Sequence, residues 1–170
     1  ERISISSETT FAVDVRDVIS DTLAAMGQVF NEKNIEVTAR LPEKVSPVIA
    51  DLDRMIQVML NLLSNAAKFC DATHGRIEIA LTEGNGNLRV DVRDNGRGIS
   101  PEHQGEIFDK FHQVGDTLTD KPHGSGLGLH ISRQIIEHFG GRLWVESDVG
   151  RGACFSFTVP IDRDIRALAA

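Results

Sequence analysis

Asn61 and Asn65 put two amide side chains four residues apart in DLDRMIQVMLNLLSNAAKF, a segment that is otherwise mostly apolar. At about 100° per residue, Arg54, Gln57, Asn61, Asn65 and Lys68 fall within about 40° of one line. Met55, Val58, Met59, Leu60, Leu62, Leu63, Ala66, Ala67 and Phe69 fill the remaining circumference, which describes a largely buried helix with one polar stripe. Asparagine is a poor helix former that competes for backbone hydrogen bonds, so two of them carry a cost without an obvious structural return. Their carbonyl oxygens suit a hard cation such as Mg²⁺, and Lys68 adds positive charge one turn further on. The competing reading is the solvated edge of an amphipathic helix.

Two glycine clusters accompany the stripe. In DNGRGI, Asp94 ends a run whose inward residues are apolar. A carboxylate there can accept a hydrogen bond from an exocyclic amine, while Gly96 and Gly98 let a flat ring lie against bare backbone. Asp-Asn-Gly is equally a strong turn signal. In GSGLGL, residues 124–129, glycine recurs at alternate positions before an apolar run. The stretch lacks the GK[ST] ending of a P-loop, and Leu129 stands where a dinucleotide loop needs its third glycine. What remains is a glycine loop opening a helix, whose free N–H groups and dipole suit a phosphate chain.

The elements that must position these residues follow from periodicity. Val15, Val18, Ile19, Leu23, Met26 and Phe30 keep helical spacing, closed by residues 31–34. Residues 35–41 alternate as a strand, residues 48–50 form a short one, and Asp51 caps the asparagine helix. RIEIALT and NLRVDVRD read as a hairpin across EGNG. Ser100-Pro101 reads as a helix start with Ser at the cap, and residues 115–123 as a loop. A helix over residues 127–139 stops at Gly140-Gly141, and RLWVES and ACFSFTVP are closing strands. The order predicts an α/β fold with helices covering one face of a sheet.

The whole chain sets the bounds. Its 170 residues suffice for one domain with a substantial core. With 41% hydrophobic and 25% charged residues it is neither a disordered nor a membrane-spanning composition. Eighteen basic against 25 acidic residues give a net charge of -7, which argues against nucleic acid as a partner. Cys70 and Cys154 have no CxxC spacing and read as buried free thiols. The opening ERISIS has neither an initiator Met nor a signal sequence, the mark of a piece of a longer protein.

NLLSNAAKF, DNGRGI, IFDKFHQ and GSGLGL, in that order, resemble the N, G1, F and G2 boxes of the catalytic ATP-binding domain of sensor histidine kinases, in the superfamily shared with gyrase-type ATPases, Hsp90 and MutL. The closing GGRLWVESDVGRGACFSFTVP is similar to the end of that domain. The resemblance implies a two-layer α/β sandwich of the Bergerat type, with a mixed, mostly antiparallel sheet covered on one face by helices. It places the domain at residues 1–160 and a tail or linker at 161–170. ATP and Mg²⁺ are the implied cofactors. Asn65 would coordinate the metal with Asn61 beside it, and Lys68 would contact phosphate. Asp94 would bind the adenine amino group, with Gly96, Gly98 and Ile99 around the ring. A lid over residues 100–123 would be anchored by Phe108 and Phe111 and offer Lys110 to the phosphates. Gly124, Ser125, Gly126, Leu127, Gly128 and Leu129 would receive the phosphate chain.

Gyrase-like ATPases carry a water-activating Glu where Asn61 stands, so the resemblance favours phosphoryl transfer to a protein over hydrolysis. The acceptor would be a histidine on a separate dimerisation hairpin absent from this chain, and a response regulator would follow. None of His74, His103, His112, His123, His130 or His138 lies in an HE-type acceptor box, and each reads as a surface or lid residue. The expected setting is a cytoplasmic, monomeric domain without membrane contact of its own. A docking module that has lost turnover, an anti-sigma serine kinase and a gyrase-like ATPase are the alternatives.

Overall fold

The computed structural model describes residues 10–110 and 126–162. The chain runs β1 (Phe11–Val13), α1 (Val15–Glu32), β2 (Glu36–Arg40), β3 (Val48–Ala50), α2 (Leu52–Phe69), β4 (Arg76–Gly84) and β5 (Asn87–Asp94). A short α3 (Pro101–Gln104), a 3₁₀ turn (Glu106–Phe108), α4 (Gly128–His138), β6 (Arg142–Ser147) and β7 (Ala153–Pro160) complete the described part.

Five strands form one sheet in the order β2-β4-β5-β7-β6. Only β2 and β4 pair in parallel, from Glu36 opposite Arg76 to Arg40 opposite Ala80. The other neighbours are antiparallel, so the sheet is mixed and mostly antiparallel as expected. β1 and β3 form a separate two-stranded antiparallel ribbon. The β4–β5 hairpin turns through Asn85 and Gly86, with φ of 54° and 76°. That pair of left-handed residues matches the twist of the strands.

Alternation decides which face is covered. Ile77, Ile79 and Leu81 of β4, Leu88, Val90 and Val92 of β5, and Phe155, Phe157 and Val159 of β7 are all buried. They face α1, α2 and α4 in one core, since side chains two apart share a face. α2 contributes Met55, Val58, Met59, Leu62, Leu63, Ala66 and Ala67 to that core. Its start is capped by Asp51, whose Oδ1 accepts from the Arg54 N–H at 3.0 Å, satisfying one free helix donor.

Several expectations needed adjustment. β1 is a strand that the residue pattern ahead of the first helix does not announce. Ser100 stands at the cap of α3 without a side-chain hydrogen bond to it, and that helix is a single turn. The first part of the expected lid is folded: Ile107 and Phe108 are buried, and Gln104 Nε2 donates to the Ile99 and Ser147 carbonyls, both at 2.8 Å. Phe111 and the rest of that lid lie outside the described residues, as do Gly124 and Ser125 of the glycine loop. Both cysteines are free, with Cys154 buried but Cys70 only half-buried.

Candidate functional site

The site begins at the last inward position of β5. Leu88, Val90 and Val92 point into the core, and the next residue in that register is Asp94, 5% exposed. A carboxylate thus occupies a place that periodicity assigns to a hydrophobe. Its Oδ1 accepts from the Gly96 N–H at 2.8 Å, and the Ala153 N–H is a second donor to it. Burial raises its pKa above the ordinary carboxylate value, against the opposing pull of those two backbone donors. No cation among the described residues pairs with it.

The loop after Asp94 is held by backbone contacts that leave no room for side chains. A Cβ at Gly96 would lie 1.8 Å from the Phe69 carbonyl oxygen at the end of α2. Gly98 has φ 72°, and a Cβ there would lie 2.1 Å from the Asp148 carbonyl oxygen. Both glycines therefore serve close approach of protein backbone to protein backbone, a demand separate from the ring contact foreseen for them. Asn95 joins the loop to the start of β4 and the turn before it: its Oδ1 accepts from the Arg76 N–H at 2.8 Å, and its Nδ2 donates to the His74 carbonyl at 2.7 Å. Ile99 N–H donates to Ser147 Oγ at 2.8 Å, and that hydroxyl donates to the Gly152 carbonyl at 2.7 Å.

On α2 the polar stripe divides. Arg54 and Gln57 bond to each other at 3.3 Å near the start of the helix, and no described contact brings either to a glycine cluster. Asn61 Nδ2 donates to the Gly128 carbonyl at 3.1 Å and to Ser132 Oγ at 2.9 Å, both on α4. One turn on is half-buried Asn65, and one further turn is Phe69, against whose carbonyl Gly96 packs. Asn65 therefore stands between the residue that touches the second glycine cluster and the residue that touches the first. Lys68 is exposed, its ammonium 4.9 Å from the centre of the Phe69 ring, and Arg97 lies 5.1 Å from the same ring.

From GSGLGL, the described part begins at Gly126, with φ 67°. Leu127 precedes α4 without a side-chain cap, so the first N–H groups of the helix are left to other partners. Gly128 opens α4, and here the fold does not demand glycine: the nearest atoms to an added Cβ are those of the Asn61 side chain, at 3.5 Å. Leu129 and Ile99 are partly buried against the core, and Lys110 is exposed.

Sequence reasoning missed the residues that brace this arrangement. Ser147, Gln104 and Asn95 act through contacts 19 to 48 residues away in sequence, beyond the reach of local spacing. His130 departs from the surface or lid position expected of the histidines. It lies half-buried on α4, with Nδ1 3.1 Å from the Phe108 carbonyl oxygen.

The profile of the histidine kinase-, DNA gyrase B- and HSP90-like ATPase family matches residues 50–163. Adaptive-response sensory kinase SasA of Parasynechococcus marenigrum (strain WH8102) is 37% identical over 150 residues, covering 88% of this chain and 39% of that protein. The SasA kinase of Synechococcus sp. (strain CC9902) is 38% identical over the same shares. The chain thus spans about two fifths of the length of these curated relatives. Among solved structures, the catalytic domain of histidine kinase ThkA has a TM-score of 0.79 at 28% identity, covering 92% of this chain and 99% of that one. Full-length ShkA in complex with AMPPNP gives 0.79 and 28%, covering 91% and 32%.

Proposed function

Because the chain belongs to the histidine kinase-, DNA gyrase B- and HSP90-like ATPase family, as a histidine kinase catalytic ATP-binding domain, we propose that it binds ATP with Mg²⁺ and donates the γ-phosphoryl group to a histidine on a separate dimerisation hairpin of its parent kinase. The observation that carries this reading is the convergence on α2. The buried Asp94 loop abuts one end of its asparagine line, and the glycine-led start of α4 abuts the other, with Asn65 between them.

The residues present fit such a substrate. Asp94 offers a buried acceptor for the exocyclic amine of adenine, with Gly96, Gly98 and Ile99 forming the adjoining wall. Asn65 would hold Mg²⁺ through its amide oxygen, with Asn61 one turn back on the same line of α2. Held there, the ion would supply positive charge against the phosphates. Lys68 and Lys110 add cations at the rim. Phe111 would anchor the lid, and the stretch from Gly124 to Leu129 would receive the phosphate chain, with the uncapped N–H groups of α4 as donors. Asn61 cannot act as a general base, and its Nδ2 is committed to α4, so attack by water lacks a base at that position.

The hairpin, and a response regulator acting after it, are the proposed partners in a two-component pathway. The structure of ThkA in complex with the response regulator TrrA supports this for a similar protein at 27% identity. No described helix is long and apolar enough to cross a membrane. Supply of ATP supports a cytoplasmic setting, and hairpin-borne dimerisation supports a monomeric fragment.

The test is trans-phosphorylation. The purified chain, supplied with labelled ATP, Mg²⁺ and the hairpin of its parent, should label the hairpin on an acid-labile histidine and acquire no stable label itself. Nucleotide binding without transfer would favour a docking module, label on serine would favour an anti-sigma type kinase, and rapid release of free phosphate would favour an ATPase.

A further inference from the structure

His130 lies about 160° around α4 from both Gly128 and Ser132, the two residues that meet Asn61. Its ring therefore faces the 3₁₀ turn at Glu106–Phe108, away from α2. A carbonyl oxygen only accepts, so the contact at 3.1 Å to Phe108 assigns the hydrogen to Nδ1. In the neutral ring Nε2 is then a bare lone pair. It is buried and has no hydrogen-bond partner among the described residues, a cost that an apolar side chain of similar size would avoid.

Holding Phe108 in place does not require this bond. The Phe108 ring is 6% exposed, packs edge-on against Phe155 with centroids 6.3 Å apart, and has the Arg133 guanidinium 5.8 Å from its centre. What the imidazole adds is direction, a single bond between the turn and the first residues of α4. The opposite side of that same helical turn is tied to α2 by Asn61. The two ties together fix how α4 is rotated and how far it stands from the asparagine line.

We propose that His130 is a positioning residue of the nucleotide site: its Nδ1–H bond to the Phe108 carbonyl sets the orientation of the first turn of α4, and so the placement of Gly128 and the helix N–H groups relative to Asn61 and Asn65. This rests on the ATP reading. The site depends on donors held at fixed spacing, and a displaced donor turn loses binding without unfolding the domain.

The experiment measures ATP·Mg²⁺ binding by calorimetry and thermal stability on the same 170-residue chain, for His130→Ala, His130→Leu and His130→Asn. Leu fills the space without a donor, and Asn returns an N–H close to where Nδ1 stands. His130→Ala and His130→Leu should weaken ATP about tenfold, the fold-change one buried hydrogen bond amounts to. His130→Leu should keep its melting temperature, and His130→Asn should recover most of the affinity. Nitrogen-15 NMR of the wild-type ring should show the Nδ1–H tautomer. ATP affinity in His130→Leu equal to wild type, failure of Asn to recover what Leu loses, or an Nε2–H tautomer would each overturn the inference while leaving the ATP reading intact. Wild-type protein that binds no ATP overturns both.

Discussion

Gly98→Ala and Gly128→Ala should have opposite effects on stability. At Gly98 the backbone is left-handed, with φ 72°, a conformation that costs an L-residue roughly 1–2 kcal/mol. The new Cβ would also lie 2.1 Å from the Asp148 carbonyl oxygen. Relief requires moving the β6–β7 turn, which is bound to the same loop by the Gly150 N–H to Arg97 carbonyl bond at 2.7 Å. Such overpacking adds about 1–3 kcal/mol, for a total of roughly 2–5 kcal/mol. In a domain of this size each kcal/mol lowers the melting temperature by about 2–4 °C, so the expected fall is roughly 4–20 °C. Gly128 offers the control. It is helical, its Cβ would meet only ordinary contacts at 3.5 Å, and alanine gains up to about 1 kcal/mol over glycine in a helix. Gly128→Ala should therefore melt at or above the wild-type temperature, yet bind ATP more weakly because the methyl group projects toward Asn61. Differential scanning calorimetry and a nucleotide titration on both variants decide the matter. A Gly98→Ala protein as stable as wild type, or a Gly128→Ala protein that loses stability, would refute the assignment of which glycine serves the fold and which the ligand.

Asp94→Asn should abolish adenine nucleotide binding while keeping the fold, as read by calorimetry and circular dichroism. It should also change the response to pH. Because the folded-state pKa of Asp94 is raised by burial, the folded chain retains a proton that the unfolded chain releases. Wild-type stability therefore falls as pH rises from the ordinary carboxylate value through the raised one, then levels off. The asparagine variant should lack that part of the fall, so melting curves between pH 3 and 8 that run parallel for the two proteins would count against a buried carboxylate. Ser147→Ala leaves the Ile99 N–H and the Gly152 carbonyl without their hydroxyl and should cost about 1–3 kcal/mol, seen as a lower urea midpoint with an unchanged slope. Asp51→Ala removes the cap of α2 and should cost about 1 kcal/mol in the same assay.

Much of the scaffold is readable from the residues because its elements obey one period each. α2 is written in a broad apolar face, the central hairpin in two alternating runs and an Asn-Gly turn, and β7 in the alternation of Phe155, Phe157 and Val159 with Ser156 and Thr158. Asp94 can be found on the same grounds, since a carboxylate at an inward strand position contradicts the period around it. The remainder depends on contacts far apart in the chain. β1 has three residues and exists through pairing with β3. Asn61 is visible as a polar position on α2, but its bonds to Gly128 and Ser132 span 67 and 71 residues. Gly96 and Gly98 show the limit in another way: their sequence announces that side chains are excluded, while only the fold reveals that the Phe69 and Asp148 carbonyls do the excluding.

The parallel pairing of β2 with β4 bears on how the domain comes together. The chain between those strands contains α2, so the helix that carries the asparagines is itself the crossover. The central hairpin closes over two residues at Asn85 and Gly86 and gives up little chain entropy to do so. Seating α2 requires β2 and β4 to find each other across 35 intervening residues, from Leu41 to Gly75, and joining α4 to α2 closes a larger circuit still. Nonlocal closures of this kind are the slow part of a folding reaction. The sheet can therefore form its middle early, whereas the proposed phosphate site between α2 and α4 forms only after the longest loops have closed, and a nucleotide bound there would reward completion of the fold rather than its beginning.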